Sequence, residues 1–277
     1  MAYRGWLKQH LHQLMKLPAQ IQAGHKPEPG ITWVAGVPRS GTNMIMDAFD
    51  RHRLTRVFHE ADRGTFQNYS LRPNPILQQA FARTFAPHIV AKALLDADRL
   101  PELLEFFPHS KAIWPVRNFA DVINSHMVRW PNFRENIDEI ATDQPGQHWR
   151  GRNASHETHE MIKSLYTPEI STADCKALLW LLRNAAFFEW ESAQQERILV
   201  LKYEDLAQNP KDGCRALAEF SGLPYDKRMA KGIHTRSVMK TNAPQLNTAI
   251  ADACQAMEVR LTAVSFPENG LGDKIGS

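Results

Sequence analysis

Short apolar runs alternate with longer amphipathic segments along most of this chain, and the alternation predicts strands and helices in turn. The apolar runs occupy residues 31–35, 111–116 and 197–202. Helical periodicity precedes the second run over residues 99–107 and the third over residues 176–194. Such alternation is typical of a parallel sheet covered by helices. We therefore predict an α/β protein with three layers, in which helices flank a central parallel sheet.

The start of the chain has a different pattern. Within residues 1–24, leucines, Trp6 and Met15 recur at helical spacing among Lys and His, which predicts an amphipathic helix that ends near Pro18. We expect this helix to pack against its own domain, and contact with a membrane surface or with a second copy in a homodimer stays open. The predicted division is a helix and linker over residues 1–28 and a single domain over 29–277.

Composition narrows the class of protein. The chain has 277 residues, of which 43% are hydrophobic, enough for one large core. Its 33 basic and 30 acidic residues leave a net charge of +3, too mild for a general nucleic-acid binder. The three cysteines, Cys175, Cys214 and Cys254, are far apart, which favours a reducing compartment. No apolar run reaches membrane-span length and no signal-peptide pattern is present, so we expect a cytoplasmic protein without a transmembrane segment.

The segment directly after the first apolar run has the composition of a phosphate-binding loop: Gly36-Val37-Pro38-Arg39-Ser40-Gly41-Thr42-Asn43. A strand that turns into a helix here directs backbone N–H groups and the positive end of the helix dipole at one spot. The two glycines have P-loop spacing, but Thr42 and Asn43 stand where a nucleoside triphosphatase has Lys and Ser/Thr. In a nucleoside triphosphatase that Lys holds the β/γ-phosphates and that Ser/Thr holds Mg²⁺. With Arg39 as the only cation of the loop, the sequence favours an anion held without metal.

A second cationic motif follows the second apolar run. Arg117 ends the run, Ser125 follows on a predicted helix, and Arg129 lies one turn further on. Two guanidinium groups and a hydroxyl at these positions can face one phosphate. Two anion sites at strand ends of one parallel sheet predict a ligand with phosphate-like groups at opposite ends of a nucleoside.

Taken in order, these motifs resemble those of sulfotransferases. Residues 38–42 look like the family's 5′-phosphosulfate loop, and Arg117 with Ser125 looks like its 3′-phosphate motif. The third feature is Tyr203-Glu204-Asp205-Leu206 at the end of the third apolar run. The layout is most similar to tyrosylprotein and bacterial sulfotransferases. The resemblance implies a P-loop-like fold and the donor 3′-phosphoadenosine 5′-phosphosulfate (PAPS), with adenosine 3′,5′-bisphosphate (PAP) as product and no metal.

The resemblance also implies which residues bind the donor. The 5′-phosphosulfate would be held by Pro38, Arg39, Ser40, Gly41, Thr42 and Asn43. The 3′-phosphate would be held by Arg117, Ser125, Arg129 and, on a late basic loop, Lys240, and Tyr203 would lie beside the adenine. Thr42-Asn43 departs from the commoner Thr-Thr or Ser-Thr, and we expect the change to alter one hydrogen bond to the donor.

Glu60 and Lys92 stand where tyrosylprotein sulfotransferases have a catalytic Glu and Lys. Sulfuryl transfer to a hydroxyl needs a base for the acceptor's proton and cations for the charge on the leaving phosphate. Glu60 suits the first task, and Arg39 and Lys92 suit the second. His59 is the rival base. We expect a hydroxyl-bearing acceptor, a small molecule or carbohydrate first and a protein tyrosine second.

Two other functions stay open. A P-loop kinase or nucleoside triphosphatase predicts Mg²⁺ dependence and ATP turnover, and a non-catalytic nucleotide-binding module predicts donor binding without turnover. Residues 131–170, rich in His, Asn and charge, are predicted to form an acceptor-binding lid, with disorder as the alternative. His156-Glu157-Thr158-His159-Glu160 lies in the same segment, in a predicted loop. It is one residue short of the zinc motif His-Glu-x-x-His, and we expect no metal there.

Overall fold

Five parallel strands form the centre of the protein in a computed structural model that describes residues 13–24, 28–134, 136–143, 150–234 and 244–266. The strands are β1 (Gly30–Val34), β2 (Thr55–Phe58), β5 (His88–Lys92), β6 (Lys111–Val116) and β7 (Ile198–Lys202). The sheet order is β2-β5-β1-β6-β7. A small antiparallel hairpin is formed by β3 (Phe66–Gln67) and β4 (Ser70–Leu71).

Helices cover both faces of the sheet. They are α1 (residues 13–22), α2 (Thr42–Arg51), α3 (Asn74–Ala82), α4 (Leu100–Phe106), α5 (Phe119–Arg129), α6 (Ile137–Thr142), α7 (His156–Leu165), α8 (Thr172–Glu189), α9 (Ser192–Gln195), α10 (Tyr203–Gln208), α11 (Pro210–Phe220) and α12 (Thr248–Ala263). Successive strand residues point to opposite faces. Trp33 and Trp114 therefore pack in the same core as α8, whereas Val34 and Ile113 pack in the core that contains α2 and α11. The predicted three-layer α/β fold is confirmed.

The three predicted strands are present, each within one residue of its predicted bounds at either end. Two strands of the same sheet, β2 and β5, were not predicted. The Thr-Arg-Val-Phe of β2 and the His-Ile-Val-Ala-Lys of β5 mix polar and apolar side chains, so neither forms an apolar run. His88 and Lys92 are buried because they have partners on other elements. A local sequence pattern does not show such partners, so the two strands could not be recognised from it.

Helix bounds differ from the prediction at three places. The predicted helix over residues 176–194 is divided, because Trp190 is extended, so that α8 ends at Glu189 and α9 begins at Ser192. Helix α8 begins at Thr172, before the predicted residue 176, because Ser171 and Asp174 form a capping box that extends it by a turn. The prediction that the first helix ends near Pro18 is wrong, since residues 13–22 are helical. Proline removes one backbone hydrogen bond, and tertiary contacts hold the helix on both sides of it. Lys16 donates to Thr55 O at 3.3 Å and Gln20 donates to the same oxygen at 3.3 Å.

The described parts of residues 131–170 contain the helices α6 and α7. Arg134 donates to Ile170 O at 2.6 Å, and Lys176 of α8 donates to Phe133 O at 2.8 Å. The prediction that the segment around His156 is a loop is wrong, because Ser155 caps α7 and makes it helical. Disorder is thus not found in these parts, and the role of the segment as a lid stays a prediction. No helix of the described residues is long and apolar enough to cross a membrane.

Candidate functional site

Each strand of the sheet brings one predicted site residue or segment to the same edge. Glu60 follows β2, Lys92 ends β5, residues 36–43 follow β1, Arg117 follows β6 and Tyr203 follows β7. The carboxyl ends of parallel strands meet at one edge, where ligands of open α/β sheets bind. The sheet order therefore aligns these positions as Glu60, Lys92, the loop, Arg117 and Tyr203.

The loop after β1 has the features of an anion site. Gly41 adopts φ +101° and leads into α2, whose N-terminus has no side-chain cap and no acidic residue in its first turn. Its first backbone N–H groups therefore have no side-chain acceptor. The Ser40 hydroxyl is buried and has no hydrogen-bond partner among the described residues. An orphaned buried hydroxyl beside uncapped N–H groups fits an anionic ligand.

The two predicted anion sites are joined by direct contacts. Arg39, at φ +71°, donates from Nε to Ser125 Oγ at 2.8 Å. Arg117 donates from Nη1 to Arg39 O at 3.2 Å and from Nη2 to Asp121 Oδ2 at 3.1 Å. The cation of the first loop thus contacts the hydroxyl of the second motif, and both motifs form one continuous surface.

Tyr203, the first residue of α10, packs between the loop and the second motif. The Arg117 guanidinium lies over the Tyr203 ring, 4.5 Å from its centre. A Cβ at Gly41 would lie 2.4 Å from Tyr203 Cδ2. The Tyr203 side chain is therefore at the site, where it supports both Gly41 and Arg117.

Replacing Gly41 with Ala is expected to lower the free energy of unfolding by about 2–4 kcal/mol, because strain at positive φ adds to the clash with Tyr203. Gly222→Ala is the matched control: its φ is +70°, but no atom lies within 4 Å of the added Cβ. We expect a loss of only about 1–2 kcal/mol there. Urea denaturation measures both. Equal losses would show that Tyr203 gives way and does not constrain the loop.

A carboxylate and an ammonium face each other on the other side of the loop. Lys92 Nζ forms a salt bridge with Glu60 Oε1 at 2.7 Å and donates to Asn43 Oδ1 at 2.9 Å. The Lys92 side chain is 6% exposed and that of Glu60 is 21% exposed. Burial lowers the pKa of the neighbouring His59 and favours its neutral form. A partly accessible carboxylate held by a buried cation can accept a proton from a ligand that reaches this edge.

Two predicted phosphate ligands are not brought into this network. Arg129 is exposed, its guanidinium lies 5.6 Å from the Trp130 ring centre, and within the described residues it makes no hydrogen bond to Arg39 or Ser125. It lies on α5 one turn beyond Ser125, so its role stays a prediction. Lys240 lies outside the described residues.

Sequence reasoning missed residues that hold the second motif in place. Asp121, in the first turn of α5, pairs with Arg117 four residues earlier, a spacing that the sequence contained. His126 is bonded to Pro38 O at 3.1 Å, and Glu258 of α12 accepts from the Asn118 side chain at 3.0 Å. No local pattern connects residues so far apart in sequence.

A cavity of about 560 Å³ borders the other side of Arg117. Glu204 and Glu258 line it, and Glu204 accepts a hydrogen bond from Asn118 N at 3.1 Å. Burial raises the pKa of Glu204. Its three acidic side chains, Asp121, Glu204 and Glu258, outnumber its two cations, Arg117 and Lys202, so the surface formed by Arg39, Ser125 and the loop fits an anion better. The described residues contain no group of three or more His, Cys, Asp or Glu that could hold a metal ion.

Fold and site together define a parallel α/β protein with a loop that fits an anion and a carboxylate–ammonium pair at the strand ends. The chain belongs to the Sulfotransferase domain family, which matches residues 29–260.

Several solved structures and one curated protein are similar to this chain. The sulfotransferase domain of the Synechococcus PCC 7002 olefin synthase is 13% identical, with a TM-score of 0.49 over 85% of this chain and 96% of that one. A sulfotransferase of Alicyclobacillus acidocaldarius is 15% identical, with a TM-score of 0.47 over 86% and 93%. A mouse sulfotransferase complexed with PAP is 16% identical, with a TM-score of 0.45 over 85% and 76%. An uncharacterized protein of Archaeoglobus fulgidus is 26% identical over 95 residues, which are 33% of this chain and 30% of that relative.

Proposed function

We propose that this protein transfers a sulfuryl group from PAPS to the hydroxyl of an acceptor, without a metal. The observation that carries the proposal is the Glu60–Lys92 pair, at 2.7 Å, beside an anion loop whose cation is Arg39. A base for a hydroxyl and cations for a leaving phosphate are what this chemistry requires. Family membership supports the same reaction.

The contacts at the site support the donor-binding roles that we propose. The uncapped N-terminus of α2 and the orphaned Ser40 hydroxyl suit the 5′-phosphosulfate, and the proposed ligands there are Pro38, Arg39, Ser40, Gly41, Thr42 and Asn43. Arg117 and Ser125 suit the 3′-phosphate, because a guanidinium and a hydroxyl lie on one surface with Arg39 between them. Arg129 and Lys240 are proposed additional ligands, and Tyr203 is proposed to flank the adenine.

In the proposed reaction PAPS supplies the activated sulfuryl group. Glu60 takes the proton of the acceptor hydroxyl while the acceptor oxygen bonds to sulfur and the bond from sulfur to the 5′-phosphate oxygen breaks. Lys92 and Arg39 neutralise the charge that this bond cleavage leaves on the phosphate, and PAP is released. Lys92 is suited to this role because its ammonium is held at the first turn of α2, where the phosphate is proposed to bind.

We propose a small molecule or carbohydrate as the acceptor, with protein tyrosine as the second candidate, bound between Glu60 and the lid formed by residues 131–170. The lid segment packs on α8 through the Lys176–Phe133 contact at 2.8 Å. We also propose that residues 29–277 form a single domain and that the protein acts in the cytoplasm.

Thermal unfolding in the presence of PAP, compared with ATP plus Mg²⁺, tests the donor. At about a hundredfold excess over Kd, PAP should add about 2.7 kcal/mol to the free energy of unfolding. ATP with Mg²⁺ should add less, because the loop lacks the Lys and Ser/Thr that hold the γ-phosphate and the metal. A shift with ATP and Mg²⁺ but none with PAP would instead favour a kinase or nucleoside triphosphatase.

A further inference from the structure

One side chain connects the phosphate loop to the carboxylate–ammonium pair. Asn43, in the first turn of α2, accepts a hydrogen bond from Lys92 Nζ through Oδ1 at 2.9 Å. The same ammonium is 2.7 Å from Glu60 Oε1. The three residues follow or end three different strands, β1, β5 and β2. Lys92 is thus held from both sides, by a neutral oxygen of the loop helix and by a carboxylate.

Chemistry determines which end of the Asn43 carboxamide faces Lys92. An ammonium only donates hydrogen bonds, so the atom beside it must be Oδ1. The Nδ2 group is then the outer end, with two N–H donors. Within the described residues Nδ2 has no hydrogen-bond partner, and Asn43 is exposed at the loop. An anion bound at the N-terminus of α2 can accept one of these N–H groups.

The two partners of Lys92 behave differently during a proton transfer. The Lys92 side chain is 6% exposed, and a buried ammonium depends on its polar partners. Once Glu60 has taken a proton, its carboxyl group is neutral and attracts Lys92 less. Asn43 Oδ1 does not titrate, so its hydrogen bond persists. Lys92 therefore stays near the first turn of α2 when the charge on the leaving phosphate is largest.

We propose that Asn43 is a positioning residue that holds Lys92 through Oδ1 and binds the donor's phosphosulfate through Nδ2. This inference rests on the proposed sulfuryl transfer. It gives a role to the departure from Thr at this position, because a carboxamide has a separate acceptor and donor whereas one hydroxyl must serve for both. A carboxamide can thus connect donor and Lys92 at the same time.

Lysine acylation followed by mass spectrometry tests the Asn43–Lys92 contact without any ligand. In Asn43→Ala, acetic anhydride should modify Lys92 about two- to tenfold faster, as expected for the loss of one hydrogen bond. Lys16 and Lys176 are internal controls, because they are 4% and 2% exposed at other places in the fold. A general loosening would raise all three rates, and an unchanged Lys92 rate would overturn the inference.

Asn43→Asp tests the roles of Oδ1 and Nδ2 separately. It keeps an acceptor oxygen for Lys92, so the Lys92 acylation rate should be no higher than in the wild type. It replaces the N–H groups with a charged oxygen, so PAP should bind about tenfold more weakly or worse because like charges repel. If Asn43→Asp accelerates Lys92 acylation as much as Asn43→Ala does, the acceptor role is wrong.

A double-mutant cycle with Asn43→Ala and Lys92→Met, measured on PAP affinity, tests the coupling. If Asn43 acts partly through Lys92, the double variant should lose less affinity than the product of the two single losses. Additive losses would overturn the positioning role, since Asn43 would then contact the ligand independently. Failure of the wild type to bind PAP would overturn the proposed function, and the acylation rates would still decide whether Asn43 holds Lys92.

Discussion

Glu60→Gln is expected to lower sulfuryl transfer by about 10²- to 10⁴-fold, the range for the loss of a general base. The substitution keeps the shape of the side chain and an oxygen that Lys92 can contact, so the salt bridge at 2.7 Å becomes a neutral hydrogen bond. What the amide cannot do is take the proton of the acceptor hydroxyl. PAP affinity should therefore change little, and the loss should appear in kcat.

The measurement is PAP release from PAPS with a panel of phenols, sugars and tyrosine peptides as acceptors. His59→Gln is the matched control, because His59 is adjacent to Glu60 and burial lowers its pKa, so its neutral imidazole is the rival proton acceptor. We expect that variant to keep most of its activity. Loss of turnover in His59→Gln but not in Glu60→Gln would identify His59 as the base. PAP binding without turnover of any acceptor in the wild type would favour a non-catalytic nucleotide-binding module.

Arg117→Ala is expected to weaken PAP binding about 10- to 100-fold. A charged hydrogen bond to phosphate contributes about 1.5–3 kcal/mol, which corresponds to this range. The Arg117 side chain is 9% exposed and is oriented by Asp121 and by its stacking on Tyr203. Its guanidinium is thus held in place before ligand binding, and little affinity is lost in ordering it.

AMP, which lacks the 3′-phosphate, is the matched ligand for this prediction. Arg117→Ala should leave AMP affinity nearly unchanged if Arg117 binds the 3′-phosphate. Arg117 also donates to Arg39 O at 3.2 Å, so its loss can change the conformation of the loop as well. An equal loss of AMP and PAP affinity, measured by calorimetry, would show that Arg117 acts by holding the loop and not by binding the 3′-phosphate. Unfolding of each variant without ligand shows whether the fold is intact.

The sequence predicted those features of the fold and the site that neighbouring residues encode. The loop from Gly36 to Asn43 was recognisable because Gly spacing, a preceding apolar strand and a following helix are all encoded by neighbouring residues. The same holds for Arg117 and Ser125, eight residues apart along one strand end and helix. In each case the chemistry could be inferred from a contiguous segment, and the structure places these residues at one edge of the sheet.

Glu60 and Lys92 show the limit of local patterns. They were selected by their resemblance to known spacing, while the strands β2 and β5 that position them were not predicted. Their meeting depends on β2 and β5 being neighbours in the sheet, which pairing over a long separation determines. Helix α1 continues past Pro18 for a similar reason, since Lys16 and Gln20 find an acceptor, Thr55 O, on β2.

The sequence by itself determined the alternation of strands and helices, the loop with P-loop glycine spacing but without the Lys of a nucleoside triphosphatase, and the second cationic motif. These properties follow from backbone preference, side-chain periodicity and residue chemistry within short segments. Only the tertiary structure decided that Asn43 accepts a hydrogen bond from Lys92 and that Tyr203 packs against both Gly41 and Arg117. These contacts join residues distant in sequence, and their distances depend on strand order and on packing between layers, which no single segment contains.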